Sequence, residues 1–391
     1  MNPDRFDRLV QIRRHIHAHP ETARKEFGTT AFIAEQLTAA GLAPRIFPGG
    51  TGLSCDIGDG RGPLVALRAD IDALPVADEK EVPYRSTRPG TCHACGHDVH
   101  TTIMLGLALE LAEAPEKIEG RVRFVFQPAE EAVPSGAHEA IAAGVLKDVA
   151  VIYALHCDPA GEVGRVGIRT GPITSSLTAF DLRITQPAAG AEPGAHPADL
   201  VMVMAKLITD LPTALQNALP AGAAMVASAV FGAVNSEPGP DGRPARVTSL
   251  GTVRSLSREA WAAVPELFER LAAAIVSPYG VTFHADFNQV APAVTNHPDA
   301  MRVFDAAVTS ALAPGARYET PQSLGGEDFA WYLESVPGGL ARLGVRPRGR
   351  ATAYDLHSGR FDVDEECIAV GVDLMRETLR LALVEYSALS R

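Results

Sequence analysis

Thr91-Cys92-His93-Ala94-Cys95-Gly96-His97-Asp98-Val99-His100-Thr101-Thr102 holds two thiols, three imidazoles and a carboxylate in twelve positions. Ile103-Met104-Leu105-Gly106-Leu107-Ala108-Leu109-Glu110-Leu111 follows at once, an apolar run of helical character. The polar cluster therefore opens a largely buried helix, where ordered side chains can converge on one point. So many nitrogen and sulfur donors are costly to bury unless something binds them, and a divalent metal is the natural ligand. Cys92 and Cys95 also form a C-x-x-C, which suits a redox pair or half of a zinc ribbon. Cys55, Cys157 and Cys367 lie singly and far apart, so no second pair completes a ribbon. A thiol redox pair leaves His97 and the carboxylates described next without a purpose.

Outward from this stretch, three apolar segments read as buried strands, at 63–69, 122–126 and 149–155. The first runs into Asp70 and Asp72, the second into Glu130 and Glu131, and the third into His156. In open parallel sheets the carboxyl edge of the strands is where ligands bind. Any one of these endings could be an ordinary turn. Three of them together with the Cys/His cluster point to one site.

With 391 residues the chain is long for a single core, and two domains are expected. Beyond Gly171 the order becomes β-α-β-β-α-β, with strands at 179–185, 223–234, 246–253 and 281–290 and helices at 199–210 and 258–276. That order is the ferredoxin-like arrangement. The expectation is an α/β protein: a catalytic α/β domain (1–174 and 291–391) around a central, mostly parallel sheet, interrupted by an inserted ferredoxin-like α+β domain (175–290). Further helices are expected at 4–19, 29–40, 298–312, 327–334 and 364–387, and a strand at 339–345. Pro/Gly-rich patches at 187–197 and 237–244 read as loops.

The formal net charge of −12 argues against a nucleic-acid partner, because phosphate binding needs clustered Lys and Arg. No apolar run approaches membrane-spanning length, and residues 1–19 carry charges throughout with no signal-peptide core. Five scattered cysteines suit a reducing compartment. The expected location is the cytoplasm.

Cys95, His97, Glu131, His156 and His357 supply one thiolate, one carboxylate and three imidazoles. The mixture is too rich in nitrogen and sulfur for calcium or magnesium and suits zinc or manganese, with cobalt or nickel also fitting. Five donors exceed one tetrahedral ion, so two divalent metal ions sharing a bridging ligand and a bridging water are expected. Such a water is acidified to near neutrality and attacks an amide carbonyl. Of Glu130 and Glu131, one can ligate while the other moves the proton. Asp72 is placed to orient a ligand imidazole.

These residues resemble the di-metal aminoacylase and carboxypeptidase-like amidohydrolases, and most of all the branch of hippurate hydrolases and auxin–amino acid conjugate hydrolases. The matching segments are RHIHAHPE (14–21), RADIDALP (68–75), HACGHD (93–98), QPAEE (127–131), GEDF (326–329) and HS (357–358), spread in order over nearly the whole chain. The resemblance implies metal ligation by Cys95, His97, Glu131, His156 and His357, with Cys95 bridging and Glu130 as general base and acid. It implies cleavage of N-acyl amino acids, and an insertion acting as lid and homodimer interface. The branch carries Gly-Gly-His and Pro-His after the first strand of its insertion and a Phe-Asn-Val-Ile-Pro segment later. This chain instead has 186–196, where only His196 can stand in as the oxyanion-stabilising, substrate-binding histidine, and 241–247, which lacks the asparagine. A metal-containing binding relative with little or no catalytic activity is the alternative that this departure leaves open.

Overall fold

The computed structural model describes residues 1–58, 62–113, 118–187, 197–219, 228–239 and 242–389. In chain order the elements are α1 (Pro3–Ala18), α2 (Phe27–Ala39), β1 (Arg45–Ile46), β2 (Leu53–Gly58), β3 (Leu64–Asp70), α3 (His97–Ala112), β4 (Arg121–Gln127), α4 (Gly136–Ala142), β5 (Val149–Glu162), β6 (Val166–Ile168) and β7 (Gly171–Pro172). Then come β8 (Ser176–Thr185), α5 (Leu200–Ala218), β9 (Ser228–Pro238), β10 (Pro244–Ser255), α6 (Arg258–Val276) and β11 (Thr282–Ala291). The chain ends with β12 (Thr295–Asn296), α7 (Pro298–Ala311), β13 (Arg317–Glu319), α8 (Ala330–Leu333), β14 (Gly338–Arg346) and α9 (Glu366–Leu389). They divide into two compact units, one of residues 1–171, 295–321 and 328–391, the other of 172–294 and 322–327.

The larger unit is built on an eight-stranded sheet in the order β1-β2-β4-β3-β5-β14-β6-β13. Its centre is parallel: β3 pairs with β4 and β5, and β14 pairs with β5. These strands are buried on both faces almost along their whole length, as parallel strands under helices must be. β2 joins β4 antiparallel, and β6 joins β14 antiparallel. One core gathers Leu9 and Ile16 of α1, Ile103 and Leu107 of α3, Phe124 and Phe126 of β4, and Val372 and Met375 of α9. α1 starts cleanly because the Asn2 side chain accepts from the Arg5 amide and Pro3 occupies the first turn.

The smaller unit is a four-stranded antiparallel sheet in the order β11-β8-β10-β9, with α5 and α6 packed on it around Phe180, Leu182, Leu207 and Phe268. The β-α-β-β-α-β chain order and this strand order are the ferredoxin-like arrangement.

Several element bounds differ from those expected. β5 runs on past 155 to Glu162, because β14 pairs with it residue for residue as far as Gly344↔Asp158. α5 continues through Pro212 because Leu211 and Leu215 are needed in the core of the smaller unit. The helix expected over 327–334 is a single turn, α8. The Asp328 carboxylate is drawn to the sheet by Arg68 and Gln127, so the chain starts a turn there instead of a longer helix. β9 and β10 take Glu237, Pro238 and Pro244 at the two ends of the expected loop at 237–244, and the described residues between them, Gly239, Gly242 and Arg243, belong to no strand. The expected strand segment 223–227 and nearly all of the expected loop 187–197 lie outside the described residues. No described helix is long and apolar enough to cross a membrane.

Candidate metal centre

The carboxyl ends of β3 and β4, the interior of β5 and the first turn of α3 converge in the larger unit. α3 begins at His97 directly after Gly96, which has φ +86°. A Cβ at Gly96 would lie 2.7 Å from Cys157 Sγ, so glycine is required by both backbone and packing. Cys95 precedes this turn, and its Sγ lies 3.6 Å from His156 Nε2. His156 donates from Nδ1 to its neighbour's carbonyl, Cys157 O, at 2.8 Å, which leaves the Nε2 lone pair facing the thiol. His97 points Nδ1 at Asp72 Oδ1, 3.3 Å away, and Nε2 into the cluster, 3.6 Å from Asp70 Oδ2 and 4.0 Å from Glu130 Oε2. Asp72 also accepts from the Glu131 amide at 3.0 Å, so one carboxylate positions the imidazole and the second glutamate together.

His357 comes from a loop and has φ +65°, a backbone conformation that costs a non-glycine residue energy. Its amide donates to Ala94 O at 2.8 Å, tying the loop to the residue before Cys95. Its Nε2 lies 3.2 Å from Glu131 Oε1. The loop is held further on by Arg13, which donates to Asp98 at 2.8 Å and Asp362 at 3.1 Å, and by Tyr84, whose hydroxyl donates to Asp362 at 2.9 Å.

The donor atoms of Cys95, His97 and His156 lie within 4.8 Å of one another, and so do those of Cys95, Glu131 and His357. Cys95 belongs to both groups. Around a tetrahedral ion with ligand distances of about 2.0–2.3 Å, donors sit about 3.3–3.8 Å apart, close to the separations seen here. Buried His97 Nε2 has no hydrogen-bond partner, as expected of an atom reserved for an ion. The donor set therefore fits two divalent ions. A grouping of Asp70, His97 and His100 also has metal-like spacing. His100 is fully committed, however: Nδ1 donates to Asp70 at 2.6 Å, and Nε2 accepts from the Cys157 amide at 2.8 Å.

Burial works against charge on His97, but Asp70, Cys95 and Asp72 outweigh it and hold the imidazole well above its ordinary range. Burial, and then the positive charge of Arg342, hold His156 well below its range and keep it neutral, the state in which imidazole ligates. Contacts with Cys95 and Glu131 raise His357 to about 10. Burial pushes the Cys92 thiol to about 11, in surroundings charged by Lys80 and Asp78, so Cys92 is a packed neighbour of the site.

Each of Cys95, His97, Glu130, Glu131, His156, His357 and Asp72 lies in this cluster. His196 lies outside the described residues. Sequence reading gave no role to the buried network in which Arg68 donates to Gln127, Asp70 and Asp328, Gln127 donates to Asp328, and Tyr332 donates to Gln127. It fastens Asp70 and the end of β4 in place. Its one sequence signal was an arginine inside an apolar strand, which must find partners when buried.

Residues 66–381 match the sequence profile of peptidase family M20/M25/M40. The chain belongs to this family. It is an amide-bond hydrolase family, and the fold and the cluster suit that chemistry. A Rhodococcus jostii protein that carries the name glutamate–cysteine ligase 2-3 is 43% identical over 96% of this chain, and the chain spans 46% of that protein's length. The N-acetyl-L-cysteine deacetylase of Bacillus subtilis is 34% identical over 92% of this chain and 84% of its own. Among solved structures, a Bacillus subtilis dinuclear metal binding peptidase of the M20 family superposes with a TM-score of 0.86 at 31% identity, covering 98% of this chain and 99% of that one.

Proposed function

We propose that this family member is a metal-dependent amidohydrolase that cleaves the amide bond of N-acyl amino acids or related small amides. The observation that carries the reading is the pair of three-donor groups sharing Cys95. Cys95, His97 and His156 would hold one divalent ion, and Cys95, Glu131 and His357 would hold a second. Zinc or manganese suits these donors best, with cobalt and nickel close behind. The chemistry that such ions supply is polarisation of a carbonyl and acidification of water. The deacetylase activity named for the Bacillus subtilis relative supports an N-acyl amino acid as substrate.

Glu130 is the proton carrier. Its side chain is about one-tenth exposed and reaches to within 4.0 Å of His97 Nε2 without joining either group around Cys95. It takes the proton of the attacking water and returns it to the leaving amine. Asp72 holds the His97 ring and the Glu131 backbone in register, as a carboxylate behind a ligand imidazole does. The reading extends to a cytoplasmic homodimer in which the inserted unit is the dimerisation module. β9, the edge strand of that unit, exposes Val230 and Val234, which supports the idea.

Replacing Glu130 by Gln tests the assignment. Hydrolysis of an N-acyl amino acid should fall by roughly 10²–10⁴-fold, while metal content by elemental analysis stays at the wild-type value. Full activity in that variant would remove Glu130 from the mechanism.

A further inference from the structure

Glu130 sits in the turn that follows β4, and the backbone amides on both sides of it are taken by buried carboxylates. Asp72 Oδ2 accepts from the Glu131 amide at 3.0 Å. Glu26 Oε1 accepts from the Ala129 amide at 2.8 Å, across 103 residues of sequence. Asp72 belongs to the metal centre through His97, whereas Glu26 is in neither donor group around Cys95.

Glu26 immediately precedes α2, a place where a side chain commonly turns back to cap the first helical amides. It makes no such bond. The side chain is instead wholly buried, with Oε1 on the Ala129 amide. Burial, and then the charge of Asp72, raise its carboxyl to about 7. Burying a carboxyl is costly unless its oxygens are used, and the Ala129 amide uses one of them.

Ala129 is where this contact has its effect. It is buried and has φ +54°, a left-handed backbone that a residue with a Cβ adopts only at a cost in energy. Its carbonyl is also fixed, accepting from the Gly136 amide at 2.8 Å. A Cβ on Gly136 would lie 1.8 Å from Pro128 O, so glycine is required for that approach. Both polar groups of the Ala129 backbone are thus held in the orientation that the left-handed turn needs. Without an acceptor for the amide, Ala129 would relax to an ordinary φ and turn the Glu130 backbone with it.

We propose that Glu26 is a positioning residue for Glu130, gripping the Ala129 amide so that the turn aims the Glu130 carboxylate into the metal centre. The proposal rests on the amidohydrolase reading, in which Glu130 carries the proton. Glu26 acts through the reach of its oxygen and not through its charge, because the amide needs only an acceptor at the right distance.

Two conservative variants separate reach from charge. Glu26→Gln keeps an acceptor oxygen at the same reach and removes the charge. Glu26→Asp keeps the charge and withdraws the oxygens by one methylene. With an N-acyl amino acid that wild type hydrolyses, Glu26→Asp should lower kcat roughly 10- to 100-fold and leave KM unchanged, as a misplaced proton carrier does. Glu26→Gln should keep kcat close to wild type, a rescue that a role in ion pairing would not give. Metal content by elemental analysis should match wild type in both, since Asp72 still holds the Glu131 amide. Wild-type kcat in Glu26→Asp would overturn the inference, as would an equal loss in Glu26→Gln or a loss of metal that accounts for the fall in rate. If wild type hydrolyses no N-acyl amino acid, the amidohydrolase reading fails, and crystal structures of the three proteins decide this inference separately. A left-handed Ala129 lost in Glu26→Asp alone, with the Glu130 carboxylate displaced, upholds it. An unmoved Glu130 in Glu26→Asp overturns it.

Discussion

His97 and His156 hang from the first turn of α3 and the interior of β5 and are 1% and 7% exposed. His357 reaches the same thiol from a loop, in left-handed backbone, with a side chain 56% exposed. The first pair is positioned by the packing of a buried helix against a buried strand, which leaves those imidazoles few other places to be. The second depends on tethers: the His357 amide to Ala94, the Gly359 carbonyl to the Glu79 amide, and Asp362 to Arg13 and Tyr84. Donors fixed before the ion arrives lose less freedom on binding, so the two ions should be held unequally, with the His357 side weaker.

Four variants can break or sharpen this contrast. Cys95→Ala removes the donor common to both groups, and the expected outcome is loss of both ions and of hydrolysis, read by elemental analysis and a turnover assay. Next in size, Asp78→Asn tests the scaffold behind the loop. Burial works against the Asp78 carboxylate, yet His17, the Ser86 amide and Lys80 hold it far below the ordinary range. A carboxylate depressed on folding stabilises the native state above its unfolded pKa of about 3.9, and that stability drains away as pH falls below it. Asp78→Asn leaves Lys80 buried without its countercharge, which costs on the order of 3–5 kcal/mol. Thermal melts at pH 7 and at about pH 3, below the unfolded carboxylate pKa, should show lower stability for the variant and a smaller loss on acidification than in wild type.

His357→Ala should release one ion and keep the other, whereas equal loss of both would make the centre a single cooperative unit. Calorimetric metal titration distinguishes these outcomes. The smallest effect belongs to Asp362→Asn, which loosens the loop without touching a donor. The second ion should bind roughly tenfold more weakly there while the first is unmoved, in keeping with the cost of disturbing groups that orient ligands. Parallel weakening of both ions would show that the tether serves the whole unit.

Much of the site was legible in the chain itself. Asp70, Asp72, Glu130 and Glu131 follow apolar strands, and strand ends in a parallel sheet share one edge whatever the distances along the sequence. The ferredoxin-like unit was legible for a similar reason, since its order of elements permits few arrangements. Less could be read of β2, a short strand whose pairing with β4, from Leu53↔Phe126 to Gly58↔Arg121, depends on contacts far along the chain. The short α8 was equally hidden, because it is set by where Asp328 finds Arg68. His156 was expected at a strand end and lies inside β5, since pairing with β14 carries the strand past it.

What the sequence determined by itself is the chemistry on offer: a thiol, imidazoles and carboxylates in a fixed order, on segments whose periodicity makes them strands and helices. Only the tertiary structure decided which of these groups are available. His97 and His100 lie three residues apart on one buried helix and are alike as residues. The Cys157 amide and Asp70 take both nitrogens of His100, while His97 keeps Nε2 free of hydrogen bonds beside Cys95. Residue type fixes what an atom can do, whereas its neighbours, brought in from distant parts of the chain, determine whether its lone pair or charge is already used.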